Sequence, residues 1–221
     1  PLPPPSDRLR TVTLDDLKNF FANPSKHLLR TRLAISLPWG QDEAQDDEPF
    51  AIDRRQASSQ LMAWLPLAIA GADDAELLSL ARAGTVFAPG PLGDHAMRAQ
   101  VQEALLIAQT YSAAIHGEPM APPRPEVLTF KINEQTWTLL ISVTDAWTDG
   151  LHRYSASKLR AKQRMNAWLD HLALGALELE GVQPNTHLTA RDDVLLLRPV
   201  ENPSDMLQTL VGRHRVVRRG D

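Results

Sequence analysis

A cluster of basic side chains in the second half of the chain is the clearest chemical signal in this sequence. Residues 153–164 contain five lysines and arginines and no acidic residue: Arg153, Lys158, Arg160, Lys162 and Arg164. Cations at this density can bind nucleic-acid phosphates, because binding releases condensed counterions. The residues leave one alternative open, a solvated helix face beside a docked subunit. We predict these five residues as nucleic-acid contacts.

Residue types that form metal or nucleophilic sites are scattered along the chain. The seven histidines include no pair at the four-residue spacing of a helical metal site. His171 lies in a hydrophobic stretch, which favours a structural role. The Gly-x-Ser-x-Gly and Gly-x-Gly-x-x-Gly patterns are absent, and the glycine-rich stretch 84–93 lacks the lysine and hydroxyl of a P-loop. We therefore predict no catalytic residue and no metal ligand from these motifs.

Composition narrows the class of protein further. The chain has 221 residues, 43% hydrophobic residues, 17 prolines and a net charge of -4. This length is ample for a hydrophobic core. The absence of cysteine excludes disulfides, thiolate zinc sites and cysteine-bound iron–sulfur clusters. No apolar run approaches the roughly 18 residues of a membrane-spanning helix, so no membrane partner is expected.

The elements that must position these side chains follow from the hydrophobic period. A period near 3.6 over residues 11–116 predicts helices, and a period near 2 beyond residue 126 predicts strands. We expect a hairpin over 127–143, a strand near 152–155 and a helix that begins near Lys158 and includes Gln163. A second hairpin and a last helix, capped at Asn202-Pro203, follow. The order predicts a mixed α/β (α+β) protein with a helical N-terminal half.

Proline-rich segments predict the boundaries of this domain. The start, Pro1-Leu2-Pro3-Pro4-Pro5, cannot form regular hydrogen-bonded structure. We expect residues 1–10 to be a linker from a preceding domain, and residues 11–221 to be one domain that is truncated at its C-terminus. Within it we expect a helical part over 11–116 and a sheet-containing part over 126–221.

Four motifs in conserved order carry a resemblance to a known family. A Leu-x-x-Leu-x-x-Phe-Phe-x-x-Pro helix stands at 14–24, and an acidic loop closes on Asp-Glu-Pro-Phe at 47–50. The loop Pro89-Gly90-Pro91-Leu92-Gly93 precedes a long helix, and Trp168-Leu169-Asp170-His171-Leu172 lies in a later one. Together they resemble the C-terminal domain of the RecC family, the gamma subunit of exodeoxyribonuclease V (RecBCD). The resemblance covers residues 11–212.

The resemblance implies a fold and a setting. RecC C-terminal domains are similar to PD-(D/E)XK nucleases of the restriction-endonuclease-like or lambda-exonuclease-like class, with a central mixed sheet. It implies a cytoplasmic DNA-repair and recombination complex whose partners are RecB-like and RecD-like subunits and DNA. Within it this domain would aid DNA-end unwinding, strand separation and subunit docking. It would use no cofactor of its own, because Mg and ATP serve the helicase–nuclease elsewhere in the parent complex.

The nuclease chemistry of that fold class is not visible in these residues. Metal-dependent phosphodiester cleavage needs clustered carboxylates. Asp145 is the only acid near the first expected position, and the next strand, 151–158, has none. Lys158 has Ala156 two residues before it, where the class has an acid. We therefore predict a degenerate, inactivated nuclease domain that is not itself an enzyme.

Two other functions stay open at this point. A divergent active nuclease would combine Asp145 with acids from elsewhere, such as Asp94 or Glu103. A pure protein–protein scaffold would not contact DNA. Among the aromatic residues, Trp137 is expected in the core, whereas Trp147 and Tyr154 are candidates for contacts with bases.

Overall fold

The structure is a computed structural model that describes residues 10–35, 54–84, 86–120 and 125–219. Residues 1–9 of the predicted linker and the acidic loop with its Asp-Glu-Pro-Phe motif lie outside these ranges. So does residue 221, the end of the predicted domain. No helix in the described ranges combines the length and apolar character needed to cross a membrane.

Helices dominate the first half of the chain, and groups of strands separated by helices make up the second. The helices are α1 (Leu14–Ala22), α2 (Pro24–Arg32), α3 (Arg54–Ile69), α4 (Asp74–Ala83), α5 (Pro91–Ala114), α6 (Ala161–Leu177) and α7 (Pro203–Arg219). The strands are β1 (Thr11–Thr13), β2 (Pro125–Ile132), β3 (Gln135–Ser142), β4 (Ala146–Trp147), β5 (Gly150–Ser155), β6 (Thr186–Ala190) and β7 (Val194–Leu197). The mixed α/β class predicted from the sequence is confirmed.

Side-chain caps define where the early helices begin. The Thr13 hydroxyl accepts a hydrogen bond from the backbone N–H of Asp16, and the backbone N–H of Thr13 donates to the Asp16 carboxylate. This reciprocal pair is the predicted capping box of α1. Asn23 caps α2, with Pro24 in the first turn as predicted. Asp73 forms a second capping box, with Glu76, at α4.

The strands form two sheets in the described chain, where one central sheet was predicted. In one sheet the order is β1-β3-β2, with β1 parallel and β2 antiparallel to β3. In the other the order is β4-β5-β6-β7, with β5 and β6 parallel. Both sheets are mixed. The backbone N–H of His152 donates to the carbonyl of Asp145 at 3.1 Å, which extends the pairing of β4 with β5.

Two hydrophobic cores lie on the two sides of this sheet region. One core joins α1, α6 and α7 to β3, with Leu17, Leu139 and Leu172 almost fully buried. The other joins α3, α4 and α5 and includes Ala156, next to the end of β5. Leu151 of β5 belongs to the first core and Tyr154 packs against the second, so β5 lies between the two cores.

Two helix boundaries differ from the sequence prediction. Helix α5 begins at Pro91, not near Asp94, with Gly90 at its N-cap in a positive-φ conformation (φ 96°). Helix α6 begins at Ala161, not near Lys158. In the loop before it, the backbone N–H of Leu159 donates to the Asp192 carboxylate at 2.7 Å, and the backbone carbonyl of Ser157 accepts from the backbone N–H of Arg191. These long-range hydrogen bonds hold residues 157–160 out of the helix.

Candidate nucleic-acid interface

A polar cleft lies where α1, the ends of β3 and β5, and the first turns of α6 meet. Its volume is about 530 Å³, within the range of small-molecule sites. The residues that line it are mostly charged or hydrogen-bonding: Asp15, Lys18, Ser142, Thr144, Arg153, Tyr154, Ser155, Lys162, Gln163, Asn166, Ala167, Asp170 and Leu188. These residues together form the cleft.

The guanidinium of Arg153 crosses the floor of the cleft between two carboxylates. Its Nη1 donates to Asp145 Oδ2 at 3.1 Å and to the carbonyl of Thr144 at 2.7 Å. Its Nε donates to Asp170 Oδ2 at 3.4 Å. Asp170 is only 6% exposed, so this cation compensates a carboxylate that would otherwise be buried without enough counter-charge.

Lys18 of α1 completes the ionic cluster. Its Nζ lies 2.7 Å from Asp170 Oδ1 and 3.7 Å from Asp15 Oδ1. Asp170 is thus bound by two cations, one from β5 and one from the first helix. The sequence analysis did not identify Lys18 or Asp170. The only signal was the charged Asp170 inside the apolar face of α6, because such a residue usually needs a partner.

The predicted basic residues take different positions around the cleft. Lys162 is exposed in the first turn of α6 and lines the cleft, whereas Arg164 is exposed but does not line it. Arg160 is the exposed N-cap of α6, and Lys158 is exposed in the loop before it. Arg153, in contrast, is engaged in the ionic cluster with Asp145 and Asp170.

Helix-end backbone N–H groups and nearby cations characterise the N-terminal end of α6. Its first turn contains no acidic residue, and the N-cap residue makes no side-chain capping bond. The first backbone N–H groups of a helix have no intrahelical acceptor and carry the positive end of the helix dipole. Three exposed cations, Lys158, Arg160 and Lys162, surround this end. The arrangement favours an anionic partner.

The acids considered for a divergent nuclease do not assemble at the cleft. Asp145 is bound by Arg153, and Glu103 on α5 pairs with Arg191. Asp94 is exposed at the start of α5 and, like Glu103, does not line the cleft. Across the described ranges no group of three or more histidine or carboxylate side chains has a geometry that could hold a metal ion.

The three candidate aromatic residues differ in burial and position. Trp137 is 3% exposed in the core, which confirms its predicted role. Trp147 is half-buried against His152, with ring centroids 6.4 Å apart. Tyr154 lines the cleft and packs edge-on against Tyr111 at 5.4 Å. Burial and the nearby Asp145 carboxylate raise the pKa of Tyr111 to about 12, and the same two causes raise the pKa of Tyr154.

Buried histidines support the strands behind the cleft. His171 on α6 donates from Nε2 to the carbonyl of Arg198 at 2.9 Å, and its Nδ1 lies 3.1 Å from the Thr186 hydroxyl. This confirms its predicted structural role. His152 stacks on His187 with ring centroids 4.7 Å apart. Burial lowers the pKa of His171, and burial together with the neighbouring His152 lowers that of His187.

A carboxylate anchors the turn between β4 and β5. Asp149 accepts from the backbone N–H of His116 at 2.8 Å and contacts His152 Nε2 at 3.1 Å. Burial alone would raise the pKa of Asp149. These hydrogen bonds outweigh that effect and hold the pKa below its ordinary value of 3.8. The turn therefore keeps its charge and its geometry at neutral pH.

Acidification should destabilise the fold in a defined pH window. The pKa values of His171 and His187 lie below the 6.5 of the unfolded chain, so the unfolded state binds more protons. The contribution of the two neutral histidines to stability should be complete above pH 6.5. It should fall as the pH drops from there toward the pKa values of the folded state. Urea unfolding at several pH values between about 7.5 and 5 measures this slope. Replacing His187 with Asn should flatten it, and a flat profile in the parent chain would contradict the assignment.

Comparison with known proteins adds two findings. A family model described as the RecC C-terminal domain matches residues 9–218. The chain is also 28% identical over 166 residues to the RecBCD enzyme subunit RecC of Escherichia coli (strain K12). That alignment covers 73% of this chain and 14% of that protein, so the chain spans a small part of the length of the curated relative it matches.

Proposed function

We propose a function from the premise that this chain belongs to the RecC C-terminal domain family. It acts as a non-catalytic, nuclease-like module of the gamma subunit in a RecBCD-type helicase–nuclease. In that role it contacts DNA, aids the unwinding and strand separation of DNA ends, and docks RecB-like and RecD-like subunits during double-strand-break repair. The parent complex would be the ATP-dependent exodeoxyribonuclease V, with ATP and magnesium used in other domains.

The observation that carries the non-catalytic part of the proposal is the position of Arg153. A nuclease of the resembled class needs carboxylates that are open to a divalent cation. Here the guanidinium binds both Asp145 and Asp170, and Lys18 binds Asp170 from the other side. A permanent cation supplies the counter-charge that a metal ion would supply, so both carboxylates are already paired.

The DNA-contacting part of the proposal is supported by the exposed cations at the start of α6. Arg160, Lys162 and Arg164 are exposed, and none of them forms an ion pair with a carboxylate of the described chain. Phosphates at this helix end would gain both the side-chain charges and the backbone N–H groups. The subunit-docking part rests on the family membership.

DNA binding by the chain should depend on these three residues. We expect the triple variant Arg160→Gln, Lys162→Gln, Arg164→Gln to bind single-stranded DNA at least about tenfold more weakly at physiological salt. The plot of log affinity against log salt should become shallower by about 0.7 per lost phosphate contact. Fluorescence anisotropy with a labelled oligonucleotide across a salt series measures both quantities.

A matched control keeps net charge out of the comparison. The variant Arg82→Gln, Arg98→Gln, Lys131→Gln removes three exposed cations from other surfaces and should keep nearly the parent affinity. Equal loss in the two triple variants would show that only net charge matters and would contradict the interface.

Incubation of the same proteins with linear DNA and magnesium or manganese tests the catalytic alternative. Cleavage that disappears in Asp145→Ala would overturn the non-catalytic assignment.

A further inference from the structure

Two amide side chains in the cleft have unsatisfied hydrogen-bonding groups. Gln163 Oε1 and Asn166 Oδ1 are both buried, and neither atom has a hydrogen-bond partner in the described structure. Leaving a buried polar atom unpaired costs about 1–3 kcal/mol. The two residues stand three positions apart on α6, so their side chains lie on one face of the helix. Both amides line one cleft, where a bound partner would satisfy them once each amide turns about its last torsion.

The charges of the cleft define the anionic part of that partner. Its cations are Lys18, Arg153 and Lys162, and its acids are Asp15 and Asp170, so the lining carries a net charge of one positive unit. Lys18 pairs with Asp170 and Asp15, and Arg153 pairs with Asp170 and Asp145. The uncompensated charge is that of Lys162, beside the backbone N–H groups of the first turn of α6. One phosphate group fits this end of the cleft.

The neutral groups of the cleft define the rest of the partner. An amide offers both a donor and an acceptor, and its last torsion is soft, so it can turn to match a ligand that presents both. Unstacked nucleobases present such donor and acceptor edges, and they stack on aromatic rings. Tyr154 lines the cleft, but its ring packs against Tyr111 on the other face of β5, so the amides carry the recognition of the base. A volume of about 530 Å³ is sufficient for a nucleotide unit.

We propose that the cleft binds one nucleotide unit without a metal ion, with the phosphate at Lys162 and the base at Gln163 and Asn166. This inference deepens the proposed function, because it assigns a specific pocket to the DNA that the chain contacts. The nucleotide is the end of a DNA strand or a free mononucleotide. Both have the same phosphate and base, and the experiment separates them.

The experiment titrates the full chain with defined probes in the presence of EDTA. Calorimetry with deoxyadenosine and thymidine 5′-monophosphates should show saturable binding with a dissociation constant of about 1 mM or below. Inorganic phosphate alone should bind at least about tenfold more weakly, because it leaves the amides unpaired. Short single-stranded oligonucleotides with and without a 5′-phosphate form the other arm. If the 5′-phosphorylated oligonucleotide binds more tightly than the unphosphorylated one, the site is assigned to a strand end. If both oligonucleotides bind no more tightly than the mononucleotides, the site is assigned to the free nucleotide.

The decisive variant is Gln163→Met, Asn166→Leu, which removes both amides and keeps their volume. Nucleotide affinity should fall by about tenfold or more, while thermal stability stays equal or rises, since two unpaired buried atoms are removed. The control Gln109→Met changes an exposed residue of α5 and should leave both quantities unchanged. Loss of stability without loss of affinity would mean that the amides serve the fold, and would overturn the proposal.

The outcomes also separate this inference from the proposed function. No saturation by either mononucleotide up to about 10 mM, together with intact salt-dependent binding of long strands, would overturn the nucleotide cleft alone. Loss of all salt-dependent DNA binding with intact mononucleotide binding would overturn the DNA-contacting role alone, and loss of both kinds of binding would overturn both. Binding that requires magnesium and vanishes in EDTA would overturn the metal-free site that Arg153 is inferred to maintain.

Discussion

Replacing Arg153 with methionine should lower the free energy of unfolding by about 3 kcal/mol, a large loss for a single domain. Methionine keeps much of the aliphatic stem of the side chain but removes the charge. Asp170, which is 6% exposed, would then have Lys18 as its single counter-ion, and the carbonyl of Thr144 would lose its donor. Chemical denaturation at neutral pH measures the change.

A matched ion pair elsewhere in the chain provides the control. Arg191 pairs with Glu103, but its side chain is 41% exposed, and surface pairs contribute at most about 1 kcal/mol. Arg191→Met should therefore cost far less than Arg153→Met. The double variant Arg153→Met, Asp170→Asn should be less unstable than the sum of its single variants by about 1–3 kcal/mol. Equal costs for the two arginines, or additive single costs, would show that the cluster does not hold the fold.

Replacing Gly93 with alanine should destabilise the chain by about 3 kcal/mol or more. Gly93 is buried in the first turn of α5, and a methyl group there would overlap the carbonyl oxygen of Ala88. Because the obstacle is backbone, no side-chain rotation can relieve it. This explains the second glycine of the loop that resembles the family motif. Urea unfolding measures the loss.

A second glycine gives the opposite expectation and serves as the control. Gly212 lies inside α7, and an added Cβ would meet its nearest atom, Cγ2 of Ile132, at 3.9 Å, an ordinary contact. Gly212→Ala should raise stability by about 0.5–1 kcal/mol, because alanine loses less conformational freedom in a helix. A Gly93→Ala variant as stable as the parent would mean that α5 does not begin at Pro91.

Local sequence was sufficient for the boundaries that depend on neighbouring residues. The capping box of Thr13 and Asp16 and the cap of Asn23 each form within three residues of the chain. The first hairpin was also predictable, because the alternation over 127–143 marks its strands and Asn133-Glu134 form its turn with positive φ angles of 47° and 60°. The family resemblance rested on the same short motifs, and the family model confirms it.

Features that join distant parts of the chain could not be predicted in this way. The delayed start of α6 depends on hydrogen bonds with residues 191 and 192. The division into two sheets depends on how β1 and β6 pair, since each adds a parallel neighbour from far along the chain. Parallel pairs need long connections and leave no turn signal between their strands.

The candidate site shows the same division at the level of single residues. Residue types and spacing alone predicted Lys162, as one of five basic residues, to contact phosphate and showed that strand β5 carries no carboxylate. Only the tertiary structure determined that Arg153 faces inward to Asp145 and Asp170, and that Lys18 reaches the same carboxylate from the first helix. The physical reason is that a hydrogen-bonding cap acts between close neighbours in the chain, whereas a charge is free or neutralised according to which distant residues the fold places beside it.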